Sequence, residues 1–261
     1  MHHPGAQWYE QSPLYIERRE RQTAVPMFVV RRDWRYRTLF SQGLNPGGTL
    51  LEVGCGSGMF LRLAAEQGYC VTGIDHDPSA VKTARELYGV TDVQLLSVEE
   101  FLAEPWDRRF DVICLFDVLE HLEDPVGTVQ GLGRMLATGG YLVCTVPSHQ
   151  RWPSWFVSDV DLPPHHLTLW SQPALERCFS NAGLEHVAIT RSPFLGDNLL
   201  HQASSQWKVL QRLDLVGIAL RAAGYFVLMP LLAWALSIVP RSGGFTLMGI
   251  ACQSGASHVS R

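Results

Sequence analysis

The sequence predicts an α/β fold, a doubly wound parallel sheet with helices on both faces. Three observations predict it. Short apolar runs of strand length alternate with amphipathic helical runs through the middle of the chain. A glycine turn, GCGSG at 54–58, joins the first such strand to the first such helix. The run FDVICLF at 110–116 is apolar throughout except for Asp111, as expected of a parallel strand covered on both sides.

Residues 49–53 read as the first strand, and MFLRLAAEQG from 59 onward as the helix after it. A second strand is expected at 69–74. Asp77 is placed to cap the next helix and Pro78 to open it, because a first-turn residue loses nothing by lacking an N–H. Ala80, Val81, Ala84 and Leu87 recur at helical spacing and form the buried stripe of that helix. A short third strand fits 93–96, and FDVICLF is the fourth. Asp124 and Pro125 repeat the cap-and-proline opening, Gly139 and Gly140 mark a turn, and YLVCTVP at 141–147 is the fifth strand. A helix over 173–182, closed by Gly183, leads to a sixth strand at 184–190. Such strict alternation makes a parallel sheet the simplest assembly.

At 261 residues and 46% hydrophobic content, the chain can bury one large core. Its formal charge of -4 gives no basic footprint for nucleic acid, which is set aside as a partner. The six cysteines, at 55, 70, 114, 144, 178 and 252, are dispersed and form no CxxC pair. That usage fits reduced thiols in a cytoplasmic protein, and no metal is expected. The opening MHHPGAQWYEQ has no apolar stretch of the kind a signal peptide needs.

The glycine turn carries the functional signal. Glycines permit positive φ and let a ligand approach the backbone where a Cβ would obstruct it. Asp75 follows the last of them by 17 residues, at the end of the next apolar run. A βαβ unit delivers a carboxylate there to ribose hydroxyls. Dinucleotide sites favour GxGxxG, whereas the spacing here is GxGxG, with Glu52 two residues before the first glycine. An acid at that position repels phosphate and suits a phosphate-free, cationic nucleoside.

At this point LLEVGCGSG resembles motif I of the class I S-adenosylmethionine-dependent methyltransferases. FDVICLFDVLEHLEDP, LGRMLATGGYLVCTVPS and PHHLTLWSQPALERCFSNAGLEHV resemble, in order, later blocks of the subgroup that includes the quinone-biosynthesis O-methyltransferases. The resemblance implies a Rossmann-like, doubly wound, seven-stranded sheet. Its last strand, FTLMGIAC at 245–252, would be antiparallel and slot between the fifth and sixth. It also implies S-adenosyl-L-methionine as cofactor and methyl transfer to a small, apolar acceptor, most readily at oxygen. Two alternatives stay open: a non-catalytic S-adenosylmethionine-binding regulatory module, and an NAD-dependent oxidoreductase.

Under that resemblance Glu52 orients the methionine ammonium and Asp75 takes the ribose hydroxyls. Gly54, Cys55, Gly56 and Gly58 line the methionine and ribose, and His76 flanks the adenine. Family members often carry an aspartate after the third strand, where this chain has Ser97, Val98 and Glu99. The serine hydroxyl or the backbone of that turn would then hold the adenine edge. Phe116 and Asp117 lie over the methionine. A proton-bearing acceptor needs a base, and His121, His165 and His166 are the catalytic candidates. Their alternative roles are shaping the cofactor pocket and bracing the loop before Leu167.

Four segments are expected: an N-terminal helical lid at 1–46, the cofactor-binding core at 47–191, an apolar helical insertion at 192–243, and the last strand and tail at 244–261. Within the insertion, residues 222–240 carry no charge over 19 positions, the length of a membrane span. Pro230 breaks the run, and a single crossing would strand FTLMGIAC on the wrong side of the bilayer. Three readings remain: a cover over a greasy acceptor, a peripheral membrane contact, or an ordinary core or dimer interface. The expected partner is a small acceptor of lipid, quinone or phenol character, in a cytoplasmic or membrane-associated protein.

Overall fold

The computed structural model of the protein describes residues 27–150, 161–163, 165–193 and 244–253. The uncharged run 222–240 and the aromatic residues Trp8, Tyr9 and Tyr15 therefore lie outside the described residues. In chain order the elements are α1 (Met27–Val30), α2 (Trp34–Ser41), β1 (Thr49–Val53), α3 (Met59–Glu66), β2 (Cys70–Asp75), α4 (Pro78–Glu86) and β3 (Val93–Leu95). They continue with α5 (Val98–Ala103), β4 (Phe110–Phe116), a 3-10 turn (Leu119–His121), α6 (Pro125–Gly133) and β5 (Leu136–Pro147). The last are α7 (Gln172–Asn181), β6 (Leu184–Arg191) and β7 (Thr246–Gln253).

Local chemistry opens the helices where the sequence places the openings. Asp77 accepts from Ser79 N ahead of Pro78, and Asp124 accepts from Gly127 N ahead of Pro125. Each pair satisfies an amide that the first turn leaves without a partner. Ser97 and Glu100 form a reciprocal capping box at the start of α5.

The seven strands run in the order β3-β2-β1-β4-β5-β7-β6. β1 to β5 are parallel where they pair, and β7 is antiparallel to both β5 and β6. The expected slot for the last strand is thus the observed one. Strand order reverses between β1 and β4, and the carboxyl ends of β1, β2 and β4 open on one crevice, the usual ligand position in such sheets. The expected turn at Gly139 and Gly140 lies inside β5 instead. Leu136 pairs with Phe110 and Tyr141 with Val112, so the chain bulges between these pairs and then resumes the ladder.

Side chains of β4 alternate between two cores. Ile113 and Leu115 face a cluster with Phe101, Leu132, Leu175 and Phe179 of α5, α6 and α7. Val112 and Cys114 face another with Leu39, Phe60, Leu61 and Ala84 of α2, α3 and α4. Phe60, Phe101 and Phe179 are fully buried, and truncating any of them to alanine costs about 3–5 kcal/mol. All six cysteines are unbridged, and Cys70 alone among them is exposed. Burial raises the Cys114 and Cys144 thiols well above their ordinary value. Among the described residues no helix is long and apolar enough to cross a membrane.

The described part of the N-terminal segment, 27–46, is built into this second core. Tyr36 packs on Phe60 and Phe116 with ring centroids 4.8 and 5.4 Å apart, and Phe40 stacks on Phe60 at 5.9 Å. These contacts fix α2 across α3 and the end of β4.

Candidate functional site

The crevice at the carboxyl ends of β1, β2 and β4 is a cavity of about 860 Å³. That lies in the range of small-molecule and cofactor sites. Glu52 is the penultimate residue of β1, and Gly54, Cys55 and Gly56 form the turn along one wall. All three turn glycines have positive φ, which a side chain disfavours. At Gly56 a Cβ would meet nothing within 4 Å, so the backbone there stands open to the cavity. At Gly58 it would lie 2.7 Å from the Ala84 Cβ. Gly58 is absent from the cavity wall, and its role is to let α3 approach α4 closely.

Asp75 ends β2 and is nearly buried. Its Oδ2 accepts from Gly56 N at 2.8 Å, and its Oδ1 accepts from Asp77 N at 2.8 Å. Burial raises its pKa above the ordinary carboxylate range, while the Asp77 and Gly56 amides and His76 pull it back. The half-exposed His76 ring stands 3.8 Å from Asp75 Oδ1. Glu52 is more deeply buried, and its pKa is raised further: burial dominates, Arg35 opposes it and Asp75 adds to it. Glu52 Oε2 has no hydrogen-bond partner among the described residues. Such an oxygen fits a ligand that brings a cation.

Ser97 and Val98 are on the opposite wall, next to Glu99. The Ser97 hydroxyl accepts from Glu100 N, which leaves its own proton for a ligand acceptor. Phe116 and Asp117 are on the wall where β4 ends. Asp117 holds φ at 56°, uncommon outside glycine, under four hydrogen bonds. Its amide donates to Thr145 Oγ1 and to the Thr145 carbonyl, its Oδ1 accepts from the Thr145 hydroxyl, and its Oδ2 accepts from Arg35.

Arg35 is the residue that the sequence reading missed. Asp33 caps α2 and grips the guanidinium through Nε and Nη2, at 3.0 and 2.6 Å to its two oxygens. The group lies over the Tyr36 and Phe116 rings at 5.3 and 5.9 Å and reaches the cavity wall. The apolar stripe Tyr36, Leu39 and the partly buried Phe40 is the signal that could have found it, because it fixes which way the preceding side chain faces.

His121 is on the wall, whereas His165 and His166 stand behind it. The structure nonetheless brings all three together, with ring centroids 4.9 to 5.3 Å apart. Two further acids, Glu120 and Asp161, are buried beside them, and the sequence singled out neither.

Across the wall, seven Asp and Glu side chains face a single Arg among the described residues. That charge balance repels a pyrophosphate and favours a cationic ligand.

Comparison with known proteins agrees with the site. The family model for a methyltransferase domain matches residues 18–189. A ubiquinone biosynthesis O-methyltransferase of Xylella fastidiosa (strain 9a5c) is 38% identical over 101 residues, 37% of this chain and 40% of the relative. One of Histophilus somni (strain 2336) is 38% identical over 100 residues, 36% of this chain and 42% of the relative. The aligned stretch thus spans about two fifths of these relatives. A SAM-dependent methyltransferase from Archaeoglobus fulgidus superposes with a TM-score of 0.59 at 16% identity, covering 92% of this chain and 100% of the other. The cyclase SpnF superposes at 0.57 and 20% identity, covering 85% and 84%, so this fold also hosts other chemistry. The oxidoreductase alternative finds no support in these likenesses, and the chain belongs to the methyltransferase-domain family.

Proposed function

We propose that the protein transfers the methyl group of S-adenosylmethionine to an oxygen of a small, apolar acceptor of phenol or quinol character. The observation that carries this is the acid-rich wall around an open glycine turn, with Glu52 and Asp75 buried in it. S-adenosylmethionine brings an ammonium, a sulfonium, a ribose and a carboxylate, and no phosphate. Asp75 would accept from the ribose hydroxyls, and Glu52 would face the ammonium. Arg35 has N–H donors beyond those given to Asp33 and Asp117, and these suit the carboxylate. Gly56 leaves room for the sugar, and the Ser97–Val98 turn would hold the adenine edge.

The transfer is an in-line displacement. The acceptor oxygen forms a bond to the methyl carbon, the S–C bond breaks with its electron pair staying on sulfur, and the acceptor proton leaves. Because the donor is already activated, positioning supplies much of the acceleration. His121, on the cavity wall, would receive that proton, with His165 and His166 packed behind it. The O-methyltransferase names of the relatives support oxygen as the methylated atom. The uncharged run 222–240 suits an apolar acceptor cover, with a membrane surface as the alternative contact.

Calorimetry with S-adenosylhomocysteine tests cofactor choice, and labelled methyl incorporation into phenolic, quinone and lipid extracts tests turnover. Binding of S-adenosylhomocysteine that Asp75→Ala abolishes, together with label in an extracted small molecule, is the expected result. Tight NAD binding with no response to S-adenosylhomocysteine would overturn the proposal.

A further inference from the structure

We infer that Tyr36 is a further ligand-binding residue, whose hydroxyl donates a hydrogen bond to the carboxylate at the amino-acid end of the cofactor and so selects for that end. This rests on S-adenosylmethionine being the cofactor, as proposed above.

Tyr36 is the third residue of α2, is only 8% exposed, and lines the cavity. Its ring is packed as a core residue's would be. Phe60 and Phe116, themselves edge to face at 4.9 Å, flank it, and the Arg35 guanidinium lies over it. The hydroxyl is placed differently, because it makes no hydrogen bond to any described residue. Nor is it one of the unpartnered polar atoms sealed from solvent, so it opens on the cavity that the residue lines. A buried tyrosine normally finds a partner for its O–H. Here the occupant of the cavity supplies it.

The neighbours define the chemistry of that partner. Burial holds the phenol above its ordinary pKa; Arg35 opposes the rise, while Asp33, Glu52 and Asp117 add to it. The hydroxyl therefore keeps its proton near neutrality and acts as a donor. The nearby acids are engaged elsewhere: both Asp33 oxygens hold Arg35, and those of Asp117 hold Thr145 and Arg35. Glu52 Oε2 has no partner. One cavity wall thus carries an unused donor on Tyr36, further N–H groups on Arg35 and an unused acceptor on Glu52. That set is the complement of a zwitterion, an anionic acceptor beside a cationic donor, which is what an α-amino acid presents. Adenine and ribose present neither charge. Hydrogen bonds to charged groups are the stronger ones, so the hydroxyl favours S-adenosylmethionine and its demethylated product over nucleosides that lack the amino-acid end.

Tyr36→Phe isolates this contact. It keeps the ring and its packing on Phe60 and Phe116, and it removes only an O–H that serves no described residue. Calorimetry on full-length wild type and Tyr36→Phe compares S-adenosylhomocysteine with methylthioadenosine, which keeps the adenosine and the sulfur and lacks the amino-acid end. Thermal unfolding of the two ligand-free proteins is recorded alongside. The variant is expected to bind S-adenosylhomocysteine about 10-fold or more weakly and methylthioadenosine as wild type does, and to unfold at the wild-type temperature. Unchanged affinity for S-adenosylhomocysteine, or equal weakening of both ligands, overturns the proposal. Failure of wild type to bind S-adenosylhomocysteine at all would instead sink the choice of cofactor on which it rests.

Discussion

Arg35 Nη1 donates to Asp117 Oδ2 at 2.6 Å, joining a helix that precedes the sheet to the residue that follows its fourth strand. Both side chains are less than one third exposed, and Asp117 reaches its partner from a left-handed backbone. The pair therefore couples α2 to the methionine end of the proposed cofactor site. Arg35→Ala and Asp117→Asn should each weaken S-adenosylhomocysteine binding by about tenfold, roughly 1.4 kcal/mol. The double variant should lose little more than the worse single one, because each removes the same contact. Calorimetry on the four proteins checks this, and fully additive losses would show that the two act separately.

Asp75 is held by two backbone amides, so its oxygens are aimed before any ligand arrives. Asp75→Asn keeps the size, removes the charge and turns one of the two acceptor oxygens into a donor facing a backbone N–H. Hydrogen bonds to charged groups contribute about 1.5–3 kcal/mol, so the dissociation constant for S-adenosylhomocysteine should rise about 10- to 150-fold. Asp75→Ala should abolish measurable binding. Unchanged binding in the Asn variant would remove Asp75 from the ribose contact.

The turn glycines separate binding from stability. Gly56→Ala meets no neighbouring atom, so its cost is the left-handed backbone, about 1–2 kcal/mol, plus obstruction of the ligand. Gly58→Ala carries the same backbone cost and also presses on Ala84, whose Cα would be 3.2 Å from the new methyl. Thermal unfolding should fall further for Gly58→Ala, and ligand affinity should fall further for Gly56→Ala. The reverse ranking would misplace the two residues.

Glu52 and Asp75 both titrate above the ordinary carboxylate range in the folded protein, chiefly because they are buried. Between about pH 4, where unfolded carboxylates ionise, and those raised values, the folded chain binds more protons than the unfolded one. Their contribution to stability is therefore full below that window and is lost as pH rises through it. A cationic ligand needs both groups ionised, so its affinity should increase over the same window. The shift in melting temperature on adding S-adenosylmethionine should grow with pH there. A shift that stays constant across it would show that neither Glu52 meets the ammonium nor Asp75 the ribose as an ionised carboxylate.

The sequence by itself determined the sheet and the cofactor turn, because both rest on short-range patterns. Strand alternation, the Asp–Pro openings at 77–78 and 124–125, and the GxGxG spacing act within a few residues of themselves. Asp75 and Phe116 end their strands and Glu52 is one residue from the end of its own, so the register of the sheet alone delivers them to one edge. Only the tertiary structure decided what crosses that edge. Arg35 reaches Asp117 across 82 positions because the Tyr36, Phe60 and Phe116 rings pack α2 into place. His121 meets His165 across 44 positions through a hydrogen bond from its ring Nδ1 to the His165 carbonyl that no local pattern announces. The close approach of Gly58 to Ala84 was hidden for the same reason, since Ala84 belongs to the next helix. Periodicity reports which face of an element is buried, whereas the partner buried against that face is settled by packing.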